Sequence, residues 1–354
     1  MLTIKDVAEL AGVTPMTVSN VLRARGRVGE ATRQHVMDVV AAHGYRPNLT
    51  ARALVERRAP TLALLLGCIT NPFYPEFTLQ ATNAARRQGR FLLVCNTDSE
   101  PDGGRRFLAE VAGSLSDGIL VANNGNLRME ELTAIQASGT PVVLSVWEYP
   151  DAPPDIPCVA FDSIMAGNLA TAHVLSLGHR RIGAIVASLP SGIHNGRYDG
   201  YLQALAAGQV RPRKADVQFC QDSYQSGYDA AVKLLTARPD LTALFVSNDL
   251  PALGVLNAAA AMGRNVPEDL SVVSITDIEP ASQTRPPLTT VAIPTAEMAE
   301  QGIALLLQLI EKAEPTPRLI RSRDPTLVTR ASTAPPATPA RIARIASTRP
   351  PRNR

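Results

Sequence analysis

The chain has 354 residues, with 35 Lys and Arg against 32 Asp and Glu, 45% apolar residues and 4% aromatic ones. That is more than one domain's worth of folded protein, far from the disordered range of composition, and apolar stretches such as Leu62–Leu66 and Ile303–Leu307 fall well short of a bilayer span, so no membrane is expected as a partner. The formal net charge of +3 conceals two basic ends and an acidic middle: +4 over 1–58, +5 over 331–354 and −6 between them.

The first residues, Met1-Leu2-Thr3-Ile4-Lys5-Asp6, lack the basic, apolar and small-residue blocks of a secretory signal, so a cytoplasmic protein is expected. Thr3 with Asp6 three residues on is a capping signal, and Ile4, Val7, Ala8 and Leu10 form an apolar stripe that ends at Gly12. Thr14 suits an N-cap and Pro15 the first helical position, where its missing N–H costs nothing. A second helix is predicted from Pro15 to Leu22. In it Val18, Val21 and Leu22 turn toward the first helix, while Pro15, Met16 and Asn20 face outward. Two short helices joined by a Gly-containing turn, the second presenting small polar groups, suit entry into a DNA major groove, although an ordinary helical hairpin carries the same pattern. A basic end on an acidic body also points to a polyanionic partner for that end. A third helix is predicted over roughly 31–43, with Val36, Val39 and Val40 inward, before Gly44 and Pro47.

After Pro60 the pattern changes to apolar strand-like runs alternating with helical stretches: 62–66, 91–95, 118–121, 142–146, 181–187, 243–247 and 270–275. Continuous apolar strands have both faces covered, which predicts doubly wound α/β structure, and about 270 residues of it suggest two lobes. Pro150, Pro153, Pro154 and Pro157 crowd the stretch before Val159, so one lobe crossing is expected near 149–158, with a second near 276–294. Cys68, Cys95, Cys158 and Cys220 show no short spacing and read as reduced core residues. The last residues, rich in Ala, Pro, Thr and Arg and without aromatics, are expected to form a disordered basic tail.

Several motifs together resemble the lac/galactose repressor family of bacterial transcriptional regulators. They are Thr3-Ile4-Lys5-Asp6-Val7-Ala8, Ala11-Gly12-Val13-Thr14, Thr17-Val18-Ser19, Gly44-Tyr45-Arg46-Pro47-Asn48 and Ala51-Arg52-Ala53-Leu54. The likeness continues through Asn71-Pro72-Phe73-Tyr74, Asp117-Gly118-Ile119, Gly178-His179-Arg180-Arg181-Ile182, Ser247-Asn248-Asp249 and Pro287-Leu288-Thr289-Thr290-Val291, covering about residues 2 to 333. It implies an all-α helix-turn-helix headpiece over 1–46 and a hinge helix and linker over 47–59. A two-lobed, periplasmic-binding-protein-like core of doubly wound parallel sheets follows over 60–333, leaving 334–354 as the tail.

By that resemblance Pro15, Met16 and Asn20 occupy the positions that reach base edges, and Thr17 and Ser19 those that touch phosphate. The DNA-facing set further takes in Thr3, Thr14, Asn48, Ala51, Arg52 and Leu54, the last as an apolar wedge in the minor groove. The usual family pattern has Arg where this chain has Asn20. Arg favours guanine and Asn pairs with adenine, so the half-site is expected to differ at that base. Two headpieces need two half-sites, which predicts a homodimer on a palindromic operator of double-stranded DNA.

The resemblance also implies an effector cleft lined by Phe73, Tyr74, Trp147, Phe161, Asp162, Arg197, Asn248 and Thr276. Aromatic faces and directional donors suit a small polar metabolite: a sugar, a sugar acid or something similar. Thr276 and Val146 stand where the family often carries acids, so the reading favours a carboxylated ligand. No GxGxxG after a strand, Walker loop, GxSxG or HExxH is present, and the five histidines lack metal-ligand spacing. An enzyme, a cofactor and a metal are therefore not expected. A solute-binding protein or a sugar-modifying enzyme on a similar two-lobed core is the alternative, but neither needs the headpiece.

Overall fold

The computed structural model describes residues 2–22, 26–45, 61–97, 115–122, 128–187 and 194–337. The chain divides into two compact units, Met1–Pro60 and Thr61–Arg354.

The first unit is a three-helix bundle of α1 (Ile4–Leu10), α2 (Pro15–Leu22) and α3 (Glu30–Ala42). Its core is Val7, Ala8, Ala11, Val18, Val21 and Val36, the inward stripes expected from the 3.6-residue period. Thr3 caps α1 in a reciprocal box: Asp6 N–H donates to the Thr3 hydroxyl, and the Asp6 carboxylate accepts from Thr3 N–H at 2.7 Å. Those bonds hold the Asp6 carboxyl below its usual pKa. Gly12, at φ +63°, makes the left-handed turn that ends α1, a conformation that strains residues bearing a Cβ.

The second unit contains β1 (Thr61–Leu66), α4 (Phe73–Arg87), β2 (Phe91–Asn96), β3 (Ile119–Val121), α5 (Met129–Ala137), β4 (Val142–Trp147) and β5 (Cys158–Ala160). It continues through α6 (Ser163–Ser176), β6 (Ile182–Val186), α7 (Asn195–Ala207), β7 (Val217–Phe219), α8 (Tyr224–Ala237), β8 (Ala243–Val246), α9 (Asp249–Ala261) and β9 (Ser271–Thr276). The last elements are α10 (Glu279–Gln283), β10 (Thr289–Ala292), α11 (Thr295–Glu311), β11 (Leu319–Arg321) and β12 (Thr326–Val328). Among the described residues no helix is long and apolar enough to cross a membrane.

The strands form two six-stranded sheets, ordered β11-β5-β4-β3-β1-β2 and β12-β10-β9-β8-β6-β7. Every pairing is parallel except that of β10 with β12. Strand β1 shows why the apolar runs are unbroken: Leu62, Leu64 and Leu66 enter one hydrophobic cluster, whereas Ala63 and Leu65 enter another on the opposite face. All four cysteines are free, two buried and two half-buried. Burial pushes the Cys95 and Cys158 thiols up to about 11 and the Cys220 thiol up to about 12, so they pack as small apolar groups.

The chain does not change lobes within 149–158. The prolines there lie in the connection between neighbouring strands β4 and β5 of the first sheet. The passage comes after Ala160, because α6 packs on β9, β10 and β12. A return passage precedes α11, which packs on α4, β3, β4 and β5. A third, which the strand pattern did not reveal, lies between β11 in the first sheet and β12 in the second.

Candidate functional site

In the helical unit Thr14 caps α2. Its hydroxyl accepts the Thr17 N–H at 3.1 Å and lies 2.9 Å from the Thr17 hydroxyl. The cap fixes the start of α2, from which Pro15 and Met16 project into solvent; Met16 is 70% exposed. Thr17 and Ser19 are half-buried beside them. Asn20 is half-buried like them, with its amide beside Gly26. Asn48, Ala51, Arg52 and Leu54 lie outside the described residues, as does the hinge helix expected for 47–59.

In the α/β unit the polar residues converge beyond the carboxyl ends of the strands, where parallel sheets leave backbone groups open to ligands. Arg197, on the first turn of α7, is buried. Its guanidinium sits 5.7 Å from the centroid of the Phe161 ring. Its position depends on the close approach of α6 and α7, since a Cβ at Gly167 would collide with the Arg197 carbonyl. The guanidinium donates to the Ser247 carbonyl at 2.9 Å and to the Thr276 hydroxyl at 3.4 Å. Thr276 donates in turn to Asn248 Oδ1 at 2.7 Å, and the Asn248 amide donates to Asp222 at 2.9 Å.

Four of the expected cleft residues, Phe161, Arg197, Asn248 and Thr276, thus share one contact network. The other four do different work. Phe73 and Tyr74 are buried with Phe77, ring centroids 5.2 and 6.0 Å from Phe73. Asp162 caps α6 by accepting from Met165 N–H at 2.7 Å. Trp147 is half-buried and donates its indole N–H to the Tyr149 and Ala152 carbonyls, which ties it to the turn after β4. Asp277, next to Thr276, pairs with Arg330 at 2.6 Å.

Glu148, His194, Asp222 and Asn71 join the cluster without having been read from the sequence. Glu148 directly follows β4, which runs on to Trp147. It receives Arg197 at 2.9 Å, His194 Nδ1 at 2.9 Å and the His194 backbone N–H at 3.0 Å. Burial alone would raise its pKa, but Arg197 and His194 beside it hold it down at about 2. Burial and Arg197 push the His194 pKa down, yet Glu148 and Asp222 outweigh them and it ends above its usual value. Asp222 follows β7, a strand too short to show a pattern, and also accepts from the Asn71 amide at 3.0 Å. Asn71 and Glu148 leave the first sheet; His194, Arg197 and Asp222 belong to the second lobe. These contacts therefore join the lobes across the cleft.

The cluster sets two carboxylates, Glu148 and Asp222, beside Arg197 and His194. Glu148 neutralises Arg197 directly, and Asp222 adds a second carboxylate 3.9 Å from the His194 ring.

Residues 3–48 match the family described as bacterial regulatory proteins, lacI family, and residues 171–333 match the periplasmic binding protein-like domain. The HTH-type transcriptional regulator DegA of Bacillus subtilis (strain 168) is 35% identical over 84% of this chain and 88% of its own. The HTH-type transcriptional repressor PurR of Mannheimia succiniciproducens is 30% identical over 88% and 92%. A solved complex of the transcriptional regulator CelR with cellobiose superposes with a TM-score of 0.70 at 30% identity, covering 94% of this chain and all of that one. These relatives are regulators and repressors rather than enzymes.

Proposed function

Because the chain belongs to the lacI family of bacterial regulatory proteins, we propose that it is a cytoplasmic repressor which binds a palindromic operator as a homodimer and responds to a small, neutral, polyhydroxylated metabolite held between its lobes. In each protomer α2 enters the major groove. Pro15, Met16 and Asn20 read base edges, while Thr17 and Ser19 hold phosphates and set the register. The exposure of Met16 at the tip of a capped helix supports this assignment. The segment with Asn48, Ala51 and Arg52 orders on DNA, with Leu54 wedged into the minor groove. Ordering seven such residues costs roughly 1–2 kcal/mol each in backbone entropy, so hinge helices form only when two are brought together. A ligand that alters the angle between the lobes changes that proximity and with it the affinity for DNA.

The observation that carries the effector reading is the buried polar network of Arg197, Glu148, Asn248, Asp222 and Thr276, which joins the two lobes. A neutral polyol can both donate to and accept from such a set, and the guanidinium over Phe161 is already matched in charge. The cellobiose held by the regulator CelR supports a carbohydrate-like ligand.

The test is fluorescence anisotropy with DNA from upstream of the protein's own gene, at several salt concentrations, with and without D-glucose, D-ribose, cellobiose and gluconate. The expected result is binding to one palindrome, a linear fall of log K with log salt, and a shift of that affinity by a neutral sugar. Absence of palindrome-specific binding overturns the repressor reading; a response to gluconate alone overturns the neutral-ligand reading.

A further inference from the structure

We propose that His194 Nε2 and the Asp222 carboxylate form a hydroxyl-binding pair, in which one ligand hydroxyl accepts from the imidazole and donates to the carboxylate. This deepens, and rests on, the reading of the cleft as a site for a neutral polyhydroxylated metabolite.

The His194 side chain is only 8% exposed, yet Nε2 has no hydrogen-bond partner among the described residues. A buried polar atom left so costs about 1–3 kcal/mol, and such atoms mark places where a ligand or water completes the structure. The other ring nitrogen is committed. Glu148 is ionised and accepts at 2.9 Å, so Nδ1 carries a proton and the ring is held with Nε2 toward Asp222. The backbone is also held: His194 sits at φ 71°, a left-handed conformation uncommon outside glycine, and its N–H donates to Glu148 at 3.0 Å.

The distance from Nε2 to Asp222 Oδ2 is 3.9 Å, too long for a direct hydrogen bond. A single ligand oxygen about 2.8 Å from each atom would match that separation. The Asn71 and Asn248 amides both donate to Asp222 Oδ2 and Asn248 also reaches Oδ1, which leaves the carboxylate acceptor capacity on Oδ1. The charged groups facing the imidazole are Glu148 after β4, Arg197 on α7 and Asp222 after β7. Their balance favours the protonated ring, which supports Nε2–H as the donor. The carboxylates of Glu148 and Asp222 match the charges of Arg197 and protonated His194, so the pair suits an uncharged hydroxyl.

The test uses the full chain, His194→Asn and Asp222→Asn, with binding of D-glucose, D-ribose, cellobiose, myo-inositol, gluconate and glucosamine followed calorimetrically from about pH 6 to about pH 9. Asparagine tolerates the left-handed backbone at position 194 but does not reproduce the imidazole. The expected result is that a neutral probe binds, that each substitution weakens it at least tenfold, and that wild-type affinity falls as pH rises through the His194 titration. That slope should vanish in His194→Asn, an effect that a merely structural role would not produce. A neutral probe whose affinity both variants retain, or whose pH slope persists in His194→Asn, overturns the pair alone. Binding of only gluconate or glucosamine also overturns it. If no probe binds, the pair falls together with the effector reading above, while the DNA titrations still judge the repressor reading.

Discussion

Replacing Glu148 by Ala removes the acceptor for two buried cations at once. In the wild type its carboxylate takes four contacts of 2.9 to 3.1 Å from the His194 backbone, His194 Nδ1 and two nitrogens of Arg197. The Arg197 and Glu148 side chains are 3% and 8% exposed, so water screens the pair little. Two routes give similar magnitudes. Removing one partner of a buried ion pair costs about 3–5 kcal/mol, and a carboxyl lowered from 4.5 to about 2 corresponds to about 3 kcal/mol of stability at neutral pH. For a protein of this size that loss lowers the urea midpoint by about 1 M. The single tryptophan, Trp147, adjoins the site and reports the unfolding by its fluorescence. The sign with pH follows from the depressed pKa: the Glu148 contribution is complete above about 4.5 and disappears as pH falls toward 2. His194 has the opposite sign. Its raised pKa gives stability that is present below 6.5 and is lost as pH climbs through the folded-state value. Glu148→Ala should therefore be less stable at neutral pH and flatter between about pH 5 and about pH 2. A loss under about 1 kcal/mol with an unchanged acid limb would refute the view of Glu148 as the anchor of the cleft.

Thr14→Ala should cost about 1 kcal/mol in the helical unit by removing the α2 cap, and should weaken operator affinity measurably in anisotropy, whereas Thr14→Ser should restore both. Asn20→Arg should change base preference at one symmetric pair of operator positions, read by binding-site selection; an unaltered consensus would remove Asn20 from the base-reading set. His179 contacts the Thr242 and Ser271 hydroxyls and the Ala334 carbonyl at 2.8 to 3.1 Å. His179→Ala should lower stability by about 1–3 kcal/mol in thermal unfolding. Burial lowers the His179 pKa, so its wild-type contribution should be present above 6.5 and fade as pH falls below that value.

The helical unit was legible because short-range chemistry determines it: Thr3 with Asp6, Thr14 with Pro15, and the valine spacing in α2 each specify an end or a face within one turn. Long strands such as β1, β4 and β9 were equally plain, since six consecutive residues carry their own signal. Strands β5, β7 and β11, with three residues each, do not, and their place is decided by neighbours far away in sequence. The prolines at 150–157 were a sound sign of a break, but a break between adjacent strands and a break between lobes look alike until pairing partners are known. Within the cleft, Arg197, Asn248 and Thr276 were found by likeness to the family's motifs. His194 and Asp222 were not, because their meaning arises from a distance between two loops, and no spacing along the chain encodes it.

The placement of β11 and β12 has a consequence for synthesis. Each is an edge strand of a different sheet, and they are separated by only a short connection near the end of the core. A nascent chain can start both lobes early but can finish the first sheet only once Arg321, and the second only once Val328, has emerged from the ribosome. Premature termination before Leu319 leaves both sheets short of their last strand, which makes truncated products targets for proteolysis and aggregation.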